Sequence, residues 1–291
     1  MSSKIKGILC ILMSAFFFAL MALLVRLAGD VPTMQKSFFR NAVALIVATV
    51  VLVKNGGGFR WGKGNFPYLF VRAFCGTLGL ICNFYAVDHL VLSDANMLNK
   101  LSPFFAILFS IIILKERVKL YQWCAVAVAF IGALFIIKPT GVTMNFASII
   151  GFVGGMGAGA AYTMVRKLSI RGERSPYIVF FFSAFSCVVI APFIILGFQP
   201  MTLHQTLLLI ATGLAAAGGQ FSITAAYSYA PAREISVFDY SQVIFAALLG
   251  FFILGQIPDV WSIIGYVIIC GVSVIMFMIN RKSVVPTQSN N

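Results

Sequence analysis

The stretch Ser93–Arg117, SDANMLNKLSPFFAILFSIIILKER, decides the fold of this chain. It predicts one membrane-spanning helix, because roughly 20 mainly apolar residues that rise about 1.5 Å each cross a hydrocarbon core ~30 Å thick. Its first half is nevertheless polar along one helical face, where Asn96, Asn99, Lys100 and Pro103 follow the spacing i, i+3, i+4 and i+7. A polar face on a membrane helix must look into protein or water, so the stretch predicts an internal cavity.

The same element occurs a second time 140 residues further on, in Arg233–Ile257, REISVFDYSQVIFAALLGFFILGQI. Ser236, Asp239 and Tyr240 stand at the three positions that Asn, Asn and Lys occupy in the first copy. The sequence therefore predicts two copies of one membrane unit, with both polar stripes facing a shared water-filled cavity.

The composition is that of an integral membrane protein. Charged residues make up 10% and hydrophobic residues 60% of the chain, and the mean hydropathy is +0.98, whereas a soluble domain carries about 25% charged residues. The net charge of +13 does not indicate a nucleic-acid partner, because the Lys and Arg residues lie in short loops between apolar runs. The six cysteines all fall within apolar spans without CxxC spacing, which indicates core residues and not a disulfide or zinc framework.

The apolar runs predict ten spans joined by short connections. Their bounds are roughly 7–25, 35–53, 67–87, 94–114, 120–138, 148–166, 177–197, 204–229, 235–254 and 260–280. Each copy holds five spans, and because five is odd, the second copy enters the membrane from the opposite side. The predicted fold is therefore an all-α integral membrane protein whose ten transmembrane helices form two inverted five-helix repeats around a central cavity. Residues 1–140 form the first repeat, 141–283 the second and 284–291 a polar tail.

The distribution of basic residues predicts the orientation. If the N-terminus is cytoplasmic, the inner segments hold fifteen Lys and Arg residues and the outer segments four. Because basic residues accumulate in cytoplasmic loops, we expect a multi-pass protein of the cytoplasmic membrane with both termini inside the cell.

Two long segments carry a resemblance to a known family. Residues 94–123, DANMLNKLSPFFAILFSIIILKERVKLYQW, and 227–265, YSYAPAREISVFDYSQVIFAALLGFFILGQIPDVWSIIG, resemble the fourth-to-fifth and eighth-to-tenth spans of the drug/metabolite transporter superfamily. The resemblance is to the ten-span group with two EamA-type repeats, and it covers nearly the whole chain. It implies two inverted five-helix bundles around a central cavity. Members move amino acids, vitamins, nucleoside-like metabolites and drugs, so it implies a transporter without fixing the substrate. Gln256 stands where many relatives carry Glu, and Ala125 where Gly is usual.

Lys100 and Asp239 are the charged groups to which we give most weight. Lys100 lies about six residues, or ~9 Å, into its span. Its shared face with Asn99 favours a cavity-lining role, and the alternative is that it snorkels to the outer interface. Asp239 lies about four residues, or ~6 Å, from the inner end of its span, which leaves roughly 15 Å of depth between the two groups. We therefore expect them at opposite ends of one cavity without a direct salt bridge. Asp239 is then a proton-coupling carboxylate, or a structural one paired with Arg233 or a helix terminus.

Further polar residues extend this candidate site. Arg40 lies about as deep in the second span, where with Lys100 it would make the outer half of the cavity positive and suited to a carboxylate or phosphate. The alternative is an arginine that anchors its helix at the interface. Tyr85, Gln220 and Tyr227 are candidate lining residues, although single residues of these types more often pack.

Other residues are expected to be structural. Arg72 lies near the inner end of the third span and is expected to snorkel. Gly151, Gly155 and Gly159, spaced by four, predict close helix packing or, alternatively, a sliding surface. Three side chains at the outer turn are expected to be solvated: Asp88, His89 and Asp94.

Together these features predict a secondary transporter that moves a small organic metabolite, amino-acid-like or carboxylate-bearing, across the cytoplasmic membrane by alternating access. Two alternatives stay open: a flippase for a lipid-linked intermediate, and an intramembrane enzyme. An enzyme is not expected, because the sequence holds no nucleophile elbow or phosphate-binding loop, and His89 and His204 lie in separate turns without metal-ligand spacing. No cofactor is expected. The expected partners are the substrate, membrane lipids and protons as a candidate coupling ion, with a monomer and a homodimer both open.

Overall fold

A computed structural model describes residues 3–54, 58–114, 119–137, 146–229 and 236–282. Every regular element in these ranges is helical. The α-helices are α1 (Ser3–Leu27), α2 (Thr33–Lys54), α3 (Phe66–His89), α4 (Leu92–Asn99), α5 (Ser102–Ile113), α6 (Leu120–Ile137), α7 (Phe146–Ile170), α8 (Ser175–Gly197), α9 (Leu203–Tyr229), α10 (Ser241–Leu254) and α11 (Val260–Lys282). A 3₁₀ turn, Ser236–Tyr240, leads directly into α10.

The helices confirm the predicted count of ten spans. Over the described ranges, nine helical segments are long and apolar enough to cross a bilayer, and Leu92–Ile113 counts as one of them. The tenth crossing is the shorter apolar segment Phe238–Leu254. The fold is thus the expected all-helical membrane bundle.

The helix contacts repeat in the way that an inverted repeat requires. α1 packs on α9, and the equivalent helices of the other repeat, α7 and α3, pack on each other in the same way. α2 packs on its own equivalent α8, α4 on α10, and α6 on α11. These pairings relate the first five spans to the last five by a pseudo-two-fold axis that passes through the middle of the bundle.

The repeat extends to single contacts. A Cβ added to Gly79 of α3 would lie 3.0 Å from the carbonyl oxygen of Gly154 in α7, so the two backbones touch. A shift of 140 residues turns this pair into Gly219 and Ser14, and the Ser14 hydroxyl donates a 2.9 Å hydrogen bond to the Gly219 carbonyl. At Gly79 the added Cβ would meet the backbone of α7, whereas at Gly219 it would meet the Phe18 ring 2.8 Å away, so a side chain larger than hydrogen is crowded at both places.

The fourth span is broken, and the prediction of one continuous helix from Ser93 was wrong. α4 ends at Asn99, and α5 begins at Ser102 with Pro103 in its first turn. Proline has no N–H to donate, and its ring crowds the carbonyl four residues earlier, here that of Asn99. Lys100 consequently lies at a break in the middle of the bundle, where α4 ends.

The glycines of α7 pack against this break. A Cβ on Gly155 would lie 2.4 Å from the Leu98 carbonyl oxygen, and one on Gly159 would lie 2.7 Å from the Ser102 carbonyl oxygen. Of the two interpretations of the glycine spacing, the structure therefore confirms close packing.

Polar contacts join the repeats at both ends of the bundle, and one glutamate and one glutamine each make two of them. At the end where α1 begins, Glu173 Oε2 accepts hydrogen bonds of 2.9 Å from the Gly62 N–H and from Asn65 Nδ2. At the other end, Gln35 Nε2 donates to the Gln199 carbonyl at 2.9 Å, and the Gln199 N–H donates back to Gln35 Oε1 at 3.1 Å. We call these the Glu173 latch and the Gln35 latch; they lie at symmetry-equivalent turns.

Candidate substrate site

A cavity of about 110 Å³ lies in the middle of the bundle, and we call it the central cavity. Both repeats line it, with Asn99 and Lys100 from the first polar stripe and Asp239 from the second. The polar side chains in its wall are Arg40, Arg72, Asn83, Asn99 and Lys100 from the first repeat and Tyr162, Gln220, Asp239 and Gln242 from the second. A space of this size and polarity holds several water molecules.

Lys100 and Asp239 form a direct ion pair, so the expected separation of roughly 15 Å was wrong. Lys100 Nζ lies 2.5 Å from Asp239 Oδ2, and their side chains are only 8% and 18% exposed. The depth estimate failed because it assumed two unbroken helices. α10 has only 14 residues, or about 21 Å of length, so Asp239 lies well inside the bundle. The break after Asn99 places Lys100 at a similar depth.

The chain around this pair supports it from both sides. The Tyr240 hydroxyl donates a 3.2 Å hydrogen bond to the carbonyl oxygen of Lys100, a carbonyl that faces the helix break. Lys100 as a whole is 6% exposed, so its ammonium group does not snorkel. Removing one partner of a buried ion pair leaves the other charge uncompensated, which is costly in a membrane bundle.

Arg72 belongs to the central cavity, which corrects the expectation that it snorkels. Its guanidinium carbon lies 4.0 Å from the centroid of the Phe182 ring, and the residue is 7% exposed. A Cβ on Gly76 would lie 2.5 Å from Arg72 Nη1, so the guanidinium lies over a glycine one turn deeper in α3. The side chain points inward because the bare glycine surface and the aromatic ring offer it a cation–π site there.

Arg40 approaches the same aromatic ring. Its guanidinium carbon lies 5.7 Å from the Phe182 centroid, and Nη1 donates a 2.8 Å hydrogen bond to Asn41 Oδ1. Arg40 is 4% exposed, so it does not anchor α2 at the membrane surface. Two guanidinium groups next to one ring are neighbours, and their mutual repulsion favours an anion between or beside them.

Several polar atoms of this cluster are unsatisfied in the described structure. Arg40 Nε, Arg72 Nε and Asp239 Oδ1 are buried without a hydrogen-bond partner there. A buried donor or acceptor without a partner costs about 1–3 kcal/mol. Among the described lining residues, three cations, Arg40, Arg72 and Lys100, stand against one carboxylate, Asp239. The cavity is therefore positive and offers free donors together with one free carboxylate oxygen.

The other predicted site residues divide into three groups. Asn99 and Gln220 line the central cavity. Asn96 does not, because Gln242 Nε2 donates to its Oδ1 at 2.5 Å and its own Nδ2 donates to the Leu92 carbonyl. Tyr85 is also absent from the described wall and stacks on the His89 ring at 4.1 Å. Two predicted side chains lie outside the described part of the structure: Ser236 and Tyr227.

The turn after α3 was expected to be solvated, and this is correct for only one of its three residues. His89 is exposed, but Asp88 forms a 2.6 Å ion pair with Lys36, whose side chain is 1% exposed. Asp94 is 7% exposed and accepts a hydrogen bond from the Tyr266 hydroxyl. Both carboxylates lie inside the protein because buried donors from other spans compensate them.

The sequence interpretation missed four polar lining residues: Arg72, Asn83, Tyr162 and Gln242. Gln242 follows Asp239 at i+3 and so lies on the same helical face. Extending the second polar stripe by one turn would therefore have predicted it as a lining residue. Tyr162 stands three residues after Gly159, the last glycine of the α7 stripe, and lines the cavity. The local sequence alone does not distinguish an inward Arg72 from a snorkelling one, because Gly76 lies nearby but Phe182 lies 110 residues away.

This architecture, with two inverted five-helix repeats around a polar central cavity, is that of a membrane transporter. The model of the EamA-like transporter family matches residues 5–138 and again residues 145–278. The chain therefore belongs to the EamA-like transporter family, within the drug/metabolite transporter superfamily.

Named relatives agree with this assignment. The chain is 33% identical to the pseudopaline exporter CntI of Pseudomonas aeruginosa over 91% of this chain and 93% of that protein. It is 28% identical to a riboflavin transporter of Vibrio cholerae over 87% of each chain. A solved crystal structure with 15% identity matches with a TM-score of 0.66 over 97% of this chain and 99% of that one, which supports the fold. The protein is thus a multi-pass membrane transporter of small molecules and not an enzyme.

Proposed function

We propose that this protein is a secondary transporter that moves a small organic metabolite, amino-acid-like or carboxylate-bearing, across the cytoplasmic membrane by alternating access. The observation that carries the proposal is the excess of buried cations in the central cavity. Arg40, Arg72 and Lys100 face a single carboxylate there, among the lining residues described. Buried cations of this kind in a membrane bundle mark a pathway for an anionic solute.

The two arginines are suited to a carboxylate group of the cargo. A guanidinium group offers donors in a fixed fork that matches the two carboxylate oxygens. Arg40 Nε and Arg72 Nε are buried and unpartnered in the described structure, so each can donate to cargo without breaking an existing bond. Phe182 contacts both side chains, because each guanidinium carbon lies within 6 Å of its ring centroid.

Asp239 is the residue that would bind the ammonium group of an amino-acid-like cargo. One of its oxygens is paired with Lys100, while Oδ1 is buried without a partner in the part of the chain that is described. An ammonium group of the cargo could occupy that acceptor while its carboxylate binds an arginine. Asp239 is also our candidate for proton coupling, because protonation would release Lys100.

Alternating access is supported by the symmetry of the bundle. The Glu173 latch and the Gln35 latch join the repeats at opposite ends, and the central cavity lies between them. Opening one latch while the other stays closed would expose the cavity to one side only. We also propose that both chain termini are cytoplasmic, so that the end of the bundle with the Glu173 latch faces the cytoplasm. The printed functions of the relatives, export of pseudopaline and transport of riboflavin, support an organic solute.

The test is transport by the purified protein in liposomes with a panel of solutes. The panel holds α-amino acids, monocarboxylates, dicarboxylates and phosphate esters, with neutral sugars and cationic amines as negative controls, each with and without a pH gradient. We expect transport of amino- or carboxylate-bearing solutes only, and acceleration by the gradient if protons are coupled. Transport of soluble solutes also separates the carrier from a flippase of lipid-linked intermediates.

A matched pair of arginine variants controls the experiment. Arg72→Met should lower transport by at least about tenfold, because a hydrogen bond to a charged group contributes about 1.5–3 kcal/mol. Arg60→Met removes an exposed loop arginine and should leave transport unchanged. Equal rates for Arg72→Met and the unmodified protein would contradict the proposed role of the cavity cations.

A further inference from the structure

A second cavity of about 60 Å³ adjoins the central cavity, and we call it the side chamber. The two spaces share three wall residues, Arg40, Phe182 and Gln220. The side chamber lies where α2 packs against both α8 and α9. It therefore lies directly beside the candidate substrate site.

The chemistry of the side chamber differs from that of the central cavity. Its wall is mainly aliphatic and aromatic, with Ala44, Ala48, Val179, Ala217 and Phe221 among its residues. Among the described wall residues, Arg40 at the shared boundary carries the only charge. Three small alanines on two helices leave the space open where larger side chains would fill it.

Water has little to stabilise it in this chamber. A buried water molecule needs two to four polar partners, whereas an apolar recess stays dry and favours an apolar guest. Phe182 lies between the polar central cavity and the apolar side chamber. Its ring contacts the guanidinium groups of Arg40 and Arg72 and also forms part of the chamber wall. An anionic group and an apolar group can thus lie next to each other across one ring.

We propose that the side chamber is a specificity subsite that takes the apolar arm of an amphipathic organic anion. The carboxylate end of the cargo binds at Arg40 and Arg72, and the hydrocarbon arm enters the chamber past Phe182. This inference rests on the proposed function and narrows it to cargo with one charged and one apolar end. Each methylene buried in the chamber strengthens binding about fourfold.

The test measures binding to the purified full-length protein in nanodiscs by calorimetry. The probes are two series, 2-aminoalkanoates and 2-alkylsuccinates, whose arms grow from methyl to butyl. We expect affinity to rise about fourfold per methylene until the chamber is full, with at least one series binding. An affinity that does not change with arm length, as it would if a lipid chain filled the chamber, overturns the inference.

Three variants localise the effect. Ala48→Leu fills the chamber from α2 and should abolish the gain with arm length while the methyl compound binds as before. Val179→Ala enlarges the chamber from α8 and should move the best arm to a longer one, which keeps the test valid if Ala48→Leu misfolds. Ala127→Leu, at an exposed position of α6, is the control and should change nothing.

The outcomes distinguish this inference from the proposed function. If the methyl compounds bind and need Arg72 but the compounds with longer arms bind no better, the proposed anion site is supported and the proposed apolar subsite is contradicted. If Ala48→Leu lowers the affinity for short and long compounds equally, the chamber does not bind the hydrocarbon arm, and the inference is also overturned. If no compound of either series binds or is transported, both proposals fail.

Discussion

Lys100 and Asp239 form an ion pair of 2.5 Å between the two repeats, although they stand 139 residues apart in the sequence. Lys100 lies at the break between α4 and α5, and Asp239 lies in the 3₁₀ turn before α10. Both irregular segments occur at the same place in their repeats. The pair therefore joins the two discontinuous spans of the two repeats next to the pseudo-two-fold axis.

The first prediction concerns the stability of this pair. Lys100→Met leaves the Asp239 carboxylate buried without compensation, and we expect it to lower the free energy of unfolding by about 3 kcal/mol. Replacing both charges, as Lys100→Met with Asp239→Asn, should restore most of the stability but not transport. Denaturant unfolding of the purified variants in detergent measures the first effect, and liposome uptake the second.

Lys119→Met is the control for this experiment, because Lys119 is exposed at the start of α6. It should affect neither stability nor uptake. A double variant that is as unstable as Lys100→Met alone would contradict the account of an uncompensated charge. Since Arg72 also lines the cavity, we expect Arg72→Met to lose transport as Lys100→Met does, with a smaller loss of stability.

The second prediction concerns the close contact of α7 with the helix break. Gly155→Ala would place a Cβ 2.4 Å from the Leu98 carbonyl oxygen, and the backbone cannot yield as a flexible side chain could. We expect a loss of about 1–3 kcal/mol in stability, as for other overpacked cores. Gly271→Ala is the matched control, because a Cβ there meets nothing within 4 Å. Equal unfolding curves for the two variants would refute the contact.

The third prediction concerns orientation in the membrane. In a background without the six native cysteines, a cysteine at His204 should react with an impermeant thiol reagent from outside the cell. A cysteine at Arg171 should react only from inside, since the two exposed residues lie at opposite ends of the bundle. Reaction of both positions from the same side would contradict the ten-span topology.

The sequence was enough to predict the repeat but not the geometry of its centre. Apolar length predicted the ten spans, the recurrence of polar residues after 140 positions predicted the repeat and Asn99, and Gln220 was found as a single polar residue inside an apolar span. The Lys100–Asp239 pair could not, because Pro103 shows that a break is favoured without giving the depth at which two broken spans meet. Arg72 could not be placed either, since Gly76 and Phe182 together decide which way its long side chain turns.

The last prediction tests the alternation between two open states. A cysteine at Asn99, in the same background without native cysteines, reports access to the central cavity from each side. Glu173→Gln removes the negative charge of the acceptor that holds the Gly62 N–H and Asn65 Nδ2. Weakening that latch should favour the state open at its end and raise the labelling rate from that side by about tenfold.

Gln35→Ala should have the opposite effect, because it removes both hydrogen bonds to the Gln199 backbone at the other end. Lys63→Gln also removes one charge near the Glu173 latch, but Lys63 is exposed, so it should leave both rates unchanged. Transport by the Asn99→Cys background is measured first, so that the labelled protein is known to be active. If the two latch variants raise labelling from the same side, or change neither rate while transport continues, the latches do not control access. Opposite changes would mean that the two ends of the bundle open in alternation, with the ion pair of Lys100 and Asp239 between them.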